Sequence, residues 1–261
     1  METTQFKLPA IVSREEWLTQ RKKLLREEKK LSKYLEEISM KRRELPMVEI
    51  KKDYTFDGPN GKASLLDMFE GRHQLIVQHF MFDPEWEAGC KGCSLQTDNI
   101  GNLAHLHARD ATLALVSKAP LKKLGQFKKR MGWTIPWYSS FESDFNYDFH
   151  VTIDAARGSN IYNYQDVSTL GENWKNWKGE QPGNSIFIRQ GDRIFHTYSA
   201  YERGCELLIG TLHYLDLTPF GRQEDWEKPE GRGADKPGGW WRLHDEYDQK
   251  PQYFLTGLSN I

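Results

Sequence analysis

Cysteine is scarce: there are three in 261 residues. Three thiols cannot build a disulfide framework, so the fold must rest on a core. Long apolar runs are missing as well; no 18-residue stretch could form a membrane-spanning helix. Neither sign of charge is in excess, with 36 Lys and Arg against 37 Asp and Glu. A general nucleic-acid binder needs a strongly basic face, so neither nucleic acid nor membrane is expected as a partner. The opening METTQFKLPA lacks a cationic stretch followed by an apolar run. It does not read as a signal peptide, and a cytoplasmic location is expected. G-x-G-x-x-G after a first strand, a P-loop, H-E-x-x-H and G-x-S-x-G are all missing, and no cofactor is expected. What the chain does have is aromatic residues, 13% of the total with nine Trp. At this length a compact fold hides roughly 70–75% of its unfolded surface, enough for a sizeable core.

The order of elements reads as α/β. Ser13 precedes Glu16 at the capping-box spacing, and Trp17, Leu24, Leu31 and Ile38 recur every seven residues with Leu35 beside them. This predicts a long amphipathic helix ended by Pro46, its seam packed on its own domain or a partner subunit. Its ten basic residues against five Glu between Arg21 and Glu44 read as a solvated face rather than a nucleic-acid or membrane arm. Residues 47–72 predict a strand, a turn at 57–61 and a small helix. LIVQHFMF (75–82) and ATLALVSKAP (111–120) read as buried strands. Helices are expected from Ser94 to about Arg109 and over 120–132. Strand, helix, strand, helix is the signature of a partly parallel sheet. Residues 133–183 are aromatic and irregular. Residues 184–201 predict a hairpin turning at Gln190–Asp192, and 202–216 a closing helix. Trp240, Trp241 and Tyr247 imply a tail that docks back on the fold.

Chemistry concentrates at Cys90-Lys91-Gly92-Cys93, between a buried strand and a helix. A helix N-terminus favours a thiolate there, and Lys91 adds positive charge. Cys90 is then the exposed nucleophile and Cys93 the resolving thiol. Two other readings stand: a metal-ligand pair, and thiols without catalytic role. The metal reading needs further ligands, and His105 and His107 point to different helix faces. His79 is a hydrogen-bonded core histidine or a proton relay to Cys90. Cys205 is a buried neutral thiol or a second resolving group. His196 and Tyr198, with Arg203, form either a pocket or a buried polar network.

The stretches EEWLTQRKKLL, RRELPMV, HQLIVQHFMF, CKGCS, RDATLALVSKAPL, RMGWTIPWYSS, DFNYDF, FHTYSAYERG, LDLTPFGR and RLHDEY resemble the bacterial thioredoxin-like family catalogued as domain of unknown function 899. The resemblance runs from about Ser13 to Tyr247. It implies a thioredoxin-like fold of the peroxiredoxin-related kind, with Cys90 at the motif position. Thioredoxins have W-C-G-P-C; here Trp86 stands four residues before Cys90 and the central pair is Lys-Gly. Thioredoxins also place a cis-proline opposite the motif, for which Pro182 is the candidate by order. Peroxiredoxins have Pro-x-x-x-Thr/Ser-x-x-Cys, whereas Pro84 lies six residues before Cys90 with no Thr or Ser between.

The expectation is therefore an N-terminal helical arm (1–46), a thioredoxin-like α/β domain (47–220) with an insertion at about 133–183, and a tail (221–261) packed on it. The function read here is thiol–disulfide exchange at Cys90 and Cys93 on a protein or small-molecule disulfide, with a thiol peroxidase ranked below it. Alternatives are a binding module using an aromatic pocket, and a metal site at the C-x-x-C. The seam of the arm, or the aromatic face, allows a homodimer.

Overall fold

Ser13 caps the first helix as its spacing requires: its hydroxyl accepts from the Glu16 N–H at 3.1 Å. Helix α1 (Arg14–Arg43) carries Glu15 and Glu16 in its first turn and Lys41, Arg42 and Arg43 in its last, both favourable to the helix dipole. The structure, a computed structural model, describes residues 9–174, 177–230, 233 and 235–247. Residues 1–8 of the expected arm and 248–261 of the expected tail lie outside these. No residue of α1 is buried. Packing of its seam on its own domain, one of the two expected outcomes, is not found: Trp17, Leu24 and Leu31 are about half exposed. Only near its end does α1 meet the domain, where the Arg42 guanidinium lies 5.5 Å from the Tyr198 ring centre.

The remaining elements follow in chain order. They are β1 (Val48–Ile50), β2 (Thr55–Gly58), β3 (Gly61–Ser64), β4 (Gln74–His79), α2 (Lys91–Asp98), α3 (Ala104–His107), β5 (Ala111–Ser117), α4 (Leu121–Arg130), β6 (Trp137–Ser139) and α5 (Phe145–Asp148). Two small ribbons occupy the insertion, β7 (Thr152–Ile153) with β10 (Gly179–Glu180), and β8 (Ile161–Tyr162) with β9 (Gln165–Asp166). The long hairpin β11 (Gly183–Gln190) and β12 (Arg193–Tyr201) and helix α6 (Gly210–Asp216) complete the domain.

Eight strands form one mixed sheet in the order β1-β12-β11-β4-β5-β6-β2-β3. Strands β4, β5 and β6 are parallel and the other pairs antiparallel. The apolar runs of β4 and β5 are buried on both faces, as central parallel strands are. Alternation divides them. Leu75, Val77, Ala114 and Val116 face a cluster containing Phe145, Phe149 and Phe187. Phe80 and Leu115 face the other layer, where α4 supplies Leu124 and Phe127, and α2 supplies Cys93. This is the expected α/β architecture of thioredoxin-like type.

Two helices differ from expectation. The segment from Ser94 to Arg109 is not one helix: α2 starts at Lys91 and stops at Asp98. Asn99 ends it by donating its side-chain amide to the Leu95 carbonyl at 2.7 Å and accepting from the Thr211 N–H at 2.8 Å. The expected helix 202–216 is a 3-10 segment (Glu202–Leu208) followed by α6. Glu202 opens it with φ +47°, a left-handed value that α-helix cannot continue.

The last described segment crosses back over the domain. Trp240 and Trp241 pack on Leu95, Ile209 and Leu212, and Leu243 enters the core beside Cys93. The Glu224 carboxylate gathers this strap, accepting from the indoles of Trp226 at 2.6 Å and Trp240 at 3.0 Å and from the Gly238 N–H at 2.8 Å. Arg130 holds Asp245 through two hydrogen bonds, and Asp98 accepts from Trp133 while bonding His244.

Candidate functional site

Strand β4 ends at His79, and the chain returns over Met81 to begin α2 at Lys91. The Met81 backbone touches both cysteines. Its carbonyl accepts from the Cys90 N–H at 3.1 Å, and its N–H donates to the Cys93 sulfur at 3.4 Å. Cys90 is the N-cap of α2, with φ −58° and ψ 133°. Its carbonyl accepts from the N–H and the hydroxyl of Ser94 at 2.9 and 2.8 Å. Glycine is required on both sides of this turn. A Cβ on Gly89 would lie 2.6 Å from the Phe80 ring, and one on Gly92 would lie 2.8 Å from the Trp241 ring.

Both cysteines are free thiols, Cys93 buried and Cys90 half-buried. The Cys90 thiol is lowered to about 7, chiefly by the hydrogen bond from Cys93; burial opposes this, and the N–H groups of Cys93 and Gly92 add to it. Cys93 is pushed well above the ordinary thiol value by the same bond and by its burial. One thiol is therefore poised as a thiolate and its neighbour as a proton donor. The helix start contributes as the sequence implied, but the neighbouring thiol contributes more. Lys91 is exposed on the first turn of α2 and is not part of the cavity wall.

The cavity beside the pair is about 340 Å³. Cys90, Gly92, Cys93 and Gln96 of α2 form one wall, and Pro182, Arg203, Cys205 and Ile209 another. Arg222, Glu224, Trp226, Pro237 and Trp241 close it from the strap. Arg222 is almost fully buried, between Asp216 at 2.8 Å and Glu206 at 3.1 Å. Trp226 lies between the guanidinium groups of Arg203 and Arg222, at 5.2 and 5.7 Å. The indole N–H of Trp241 is buried and has no hydrogen-bond partner among the described residues.

The sequence candidates divide accordingly. Cys90, Cys93, Pro182, Arg203 and Cys205 meet at the cavity. The Gln181–Pro182 peptide is trans, so the cis-proline expected from the thioredoxin resemblance is not there. Trp86 packs in the α2–α4 layer, outside the cavity wall. His79 points to the opposite face of the sheet from α2. It stacks on Phe149 and starts a buried chain through Ser185 and Ser199 to His196, with links of 2.7, 2.8 and 2.8 Å. Burial pushes His79 down to about 3. It is a core histidine, and among the described residues its hydrogen-bonded chain runs to His196, on the far side of the sheet from α2. His196 and Tyr198 line a separate groove of about 670 Å³, which shares only the Glu202–Arg203 ridge with the thiol cavity.

Arg222, Glu224, Trp226 and Gln96 were not singled out from sequence. Arg222 to Trp226 stand over a hundred residues from Cys90 and Cys93 in an acidic, Gly/Pro-rich segment without periodicity. Trp240, Trp241 and Tyr247 are the visible sign in the sequence that this segment docks. Among the described residues no group of three or more His, Cys, Asp or Glu side chains could hold a metal ion, so the pair Cys90 and Cys93 finds no further ligands there. No described helix is long and apolar enough to cross a membrane.

The model of the family described as "Bacterial protein of unknown function (DUF899)" matches residues 6–247. The chain belongs to this family. No curated protein matches it. Among solved structures, this DUF899 chain is similar to peroxidoxin BcpB from Mycobacterium tuberculosis, at 13% identity and TM-score 0.41, over 66% of this chain and 97% of that one. It is similar to a peroxiredoxin Q mutant from Xanthomonas campestris at 15% identity and TM-score 0.38, over 61% and 90%. It is also similar to a putative protein disulfide isomerase from Bacteroides thetaiotaomicron at 16% identity and TM-score 0.34, over 65% and 91%. The expected ranking of a thiol peroxidase below a disulfide exchanger is corrected by the peroxiredoxins among these similar structures. The spacing Pro84 to Cys90, on which that ranking leaned, said nothing of the enclosure of the thiol, because the strap that encloses it is remote in sequence.

Proposed function

We propose that this protein is a thiol peroxidase in which Cys90 attacks a hydroperoxide and Cys93 resolves the product. The observation that carries this reading is the setting of Cys90: its thiol, lowered to about 7, lines a half-open cavity of about 340 Å³ partly covered by Trp241. A hydroperoxide fits such a space, whereas a protein disulfide would have to displace the strap. The Cys90 thiolate attacks the terminal peroxide oxygen, the O–O bond breaks, and the leaving alkoxide takes a proton to become an alcohol or water. Cys90 is left as the sulfenic acid. The Cys93 sulfur then attacks Cys90, forming the disulfide as water leaves. A dithiol reductant restores the pair.

The reduced protein mixed with a hydroperoxide and dithiothreitol tests this. Wild type is expected to react at least about a hundred-fold faster than free cysteine. Cys90→Ser should lose this activity, and Cys93→Ser should accumulate a dimedone-trappable sulfenic acid at Cys90. Undiminished consumption by Cys90→Ser would end the proposal.

The assembly proposed with it is a homodimer through α1. Support comes from the exposed seam and from charge. An antiparallel pairing sets Glu15 and Glu16 of one copy near Lys41, Arg42 and Arg43 of the other.

A further inference from the structure

The third cysteine has no part in the mechanism above, yet it lies on the same cavity. Cys205 is 5% exposed and lines that cavity together with Cys90 and Cys93. The three thiols of the chain come from positions 90, 93 and 205 to one space. A pair of hydrogen bonds ties Cys205 to α2, the helix that carries Cys93. Gln96, one turn after Cys93, donates to the Asn184 side-chain oxygen at 3.0 Å, and the Asn184 amide donates to the Cys205 sulfur at 3.1 Å. The Cys205 S–H in turn donates to the Ala200 carbonyl at 3.4 Å. Cys205 is near enough to Cys93 to help raise its pKa. It rides on the 3-10 segment Glu202–Leu208, whose first residue is left-handed.

We propose that Cys205 is a third redox thiol that takes over Cys93 from the Cys90–Cys93 disulfide and sets Cys90 free. The proposal deepens the peroxidase reading and rests on it only for how the first disulfide arises. The Cys205 sulfur gives up its proton and attacks the Cys93 sulfur. The Cys93–Cys205 bond forms as the Cys90–Cys93 bond breaks. The electron pair of the broken bond leaves on Cys90 as a thiolate, which takes up a proton to the extent the pH allows. Nothing is oxidised or reduced overall; the two oxidising equivalents move one sulfur inward. A dithiol reductant later opens the new bond.

The direction follows from the three environments. In thiol–disulfide exchange the more acidic thiol is the better leaving group. A Cys93 held in a disulfide no longer donates its S–H to Cys90, but the N–H groups of Cys93 and Gly92 still lower the Cys90 thiol, while burial pushes Cys205 up to about 11. The disulfide therefore settles on the two less acidic sulfurs. Cys90 returns to the state in which it can meet another oxidant before any reductant arrives.

Disulfide mapping after oxidation by one equivalent of diamide tests this without any peroxide chemistry. Trypsin cuts after Lys91 and after Arg203, so each thiol falls on its own peptide. After acid quench and alkylation, wild type is expected to carry Cys93–Cys205 in at least about ten-fold excess over Cys90–Cys93, with Cys90 alkylated. Cys205→Ser, and Cys205→Ala should the serine disturb the core, are expected to carry Cys90–Cys93 alone. Wild type holding chiefly Cys90–Cys93, with Cys205 alkylated, would overturn the proposal, as would a dominant Cys90–Cys205 bond. A protein that gives the expected diamide map but ignores hydroperoxides would sink the peroxidase reading and leave this one standing.

Discussion

At the scale of the residue, the decisive group is the Cys93 thiol, because it is the first cause of the low Cys90 pKa. Its effect is separable from that of the helix start. Because the folded pKa lies below the ordinary thiol value, the reactive thiolate is present above about 7 and is lost as the pH falls through it. The rate with hydroperoxide is thus expected to rise to a plateau about one unit above its midpoint. Cys93→Ala removes the donor and should move the midpoint upward, toward a free thiol. Cys93→Ser keeps a hydroxyl donor and should move it less. Titration of the thiolate absorbance checks both. An unmoved midpoint in Cys93→Ala would assign the activation to the N–H groups of α2 instead. Another buried group has its own role: the Glu180 carboxyl, raised by burial to about 7, accepts from Thr152 and Asn146 and ties the insertion together.

At the scale of the element, the strap governs access. The Trp241 ring would lie 2.8 Å from a Cβ on Gly92, too close for a side chain there, so it stands over the first turn of α2. Trp241→Ala should raise the alkylation rate of Cys90 by a bulky maleimide about ten-fold or more, and that by iodoacetamide far less. It should also cost about 2 kcal/mol of stability, less than a fully buried Trp. Equal acceleration of both reagents would mean that the ring packs without shielding. The elements that carry the thiols were legible in sequence because each obeys a local rule. Ser13 and Glu16 mark the start of α1, the apolar runs mark β4 and β5, and the turn at Gly191 marks the β11–β12 hairpin. Cys90, between a buried strand and a helix, stood out for the same reason. The break at Asn99 and the 3-10 segment at Glu202 were not legible, since both depend on partners far along the chain: Thr211 for Asn99, and Tyr162, whose hydroxyl accepts from the Glu202 N–H. The second half of the cavity was hidden likewise, because an acidic carboxylate such as Glu224 signals nothing until Trp226 and Trp240 are seen to converge on it.

At the scale of the whole molecule, α1 is the part without a partner. A 30-residue helix spans about 45 Å, and one with an apolar seam left in water is poorly stabilised by itself. Light scattering on the full chain is expected to give twice the monomer mass, and removal of residues 1–44 a monomer with its peroxide reactivity intact. A full-length monomer would exclude the dimer. The thiol cavity also has a history in time. Its floor comes from residues 90–96, its far wall from 182 and 202–209, and its roof from 222–241, so it is assembled in the order of synthesis. During translation the C-x-x-C turn can form as soon as β4, α2 and β5 have emerged, while the indole that covers it follows only after β11, β12 and α6. Cys90 therefore passes through a stage at which thiols of any size can reach it, and each molecule closes that exposure only when the strap folds down.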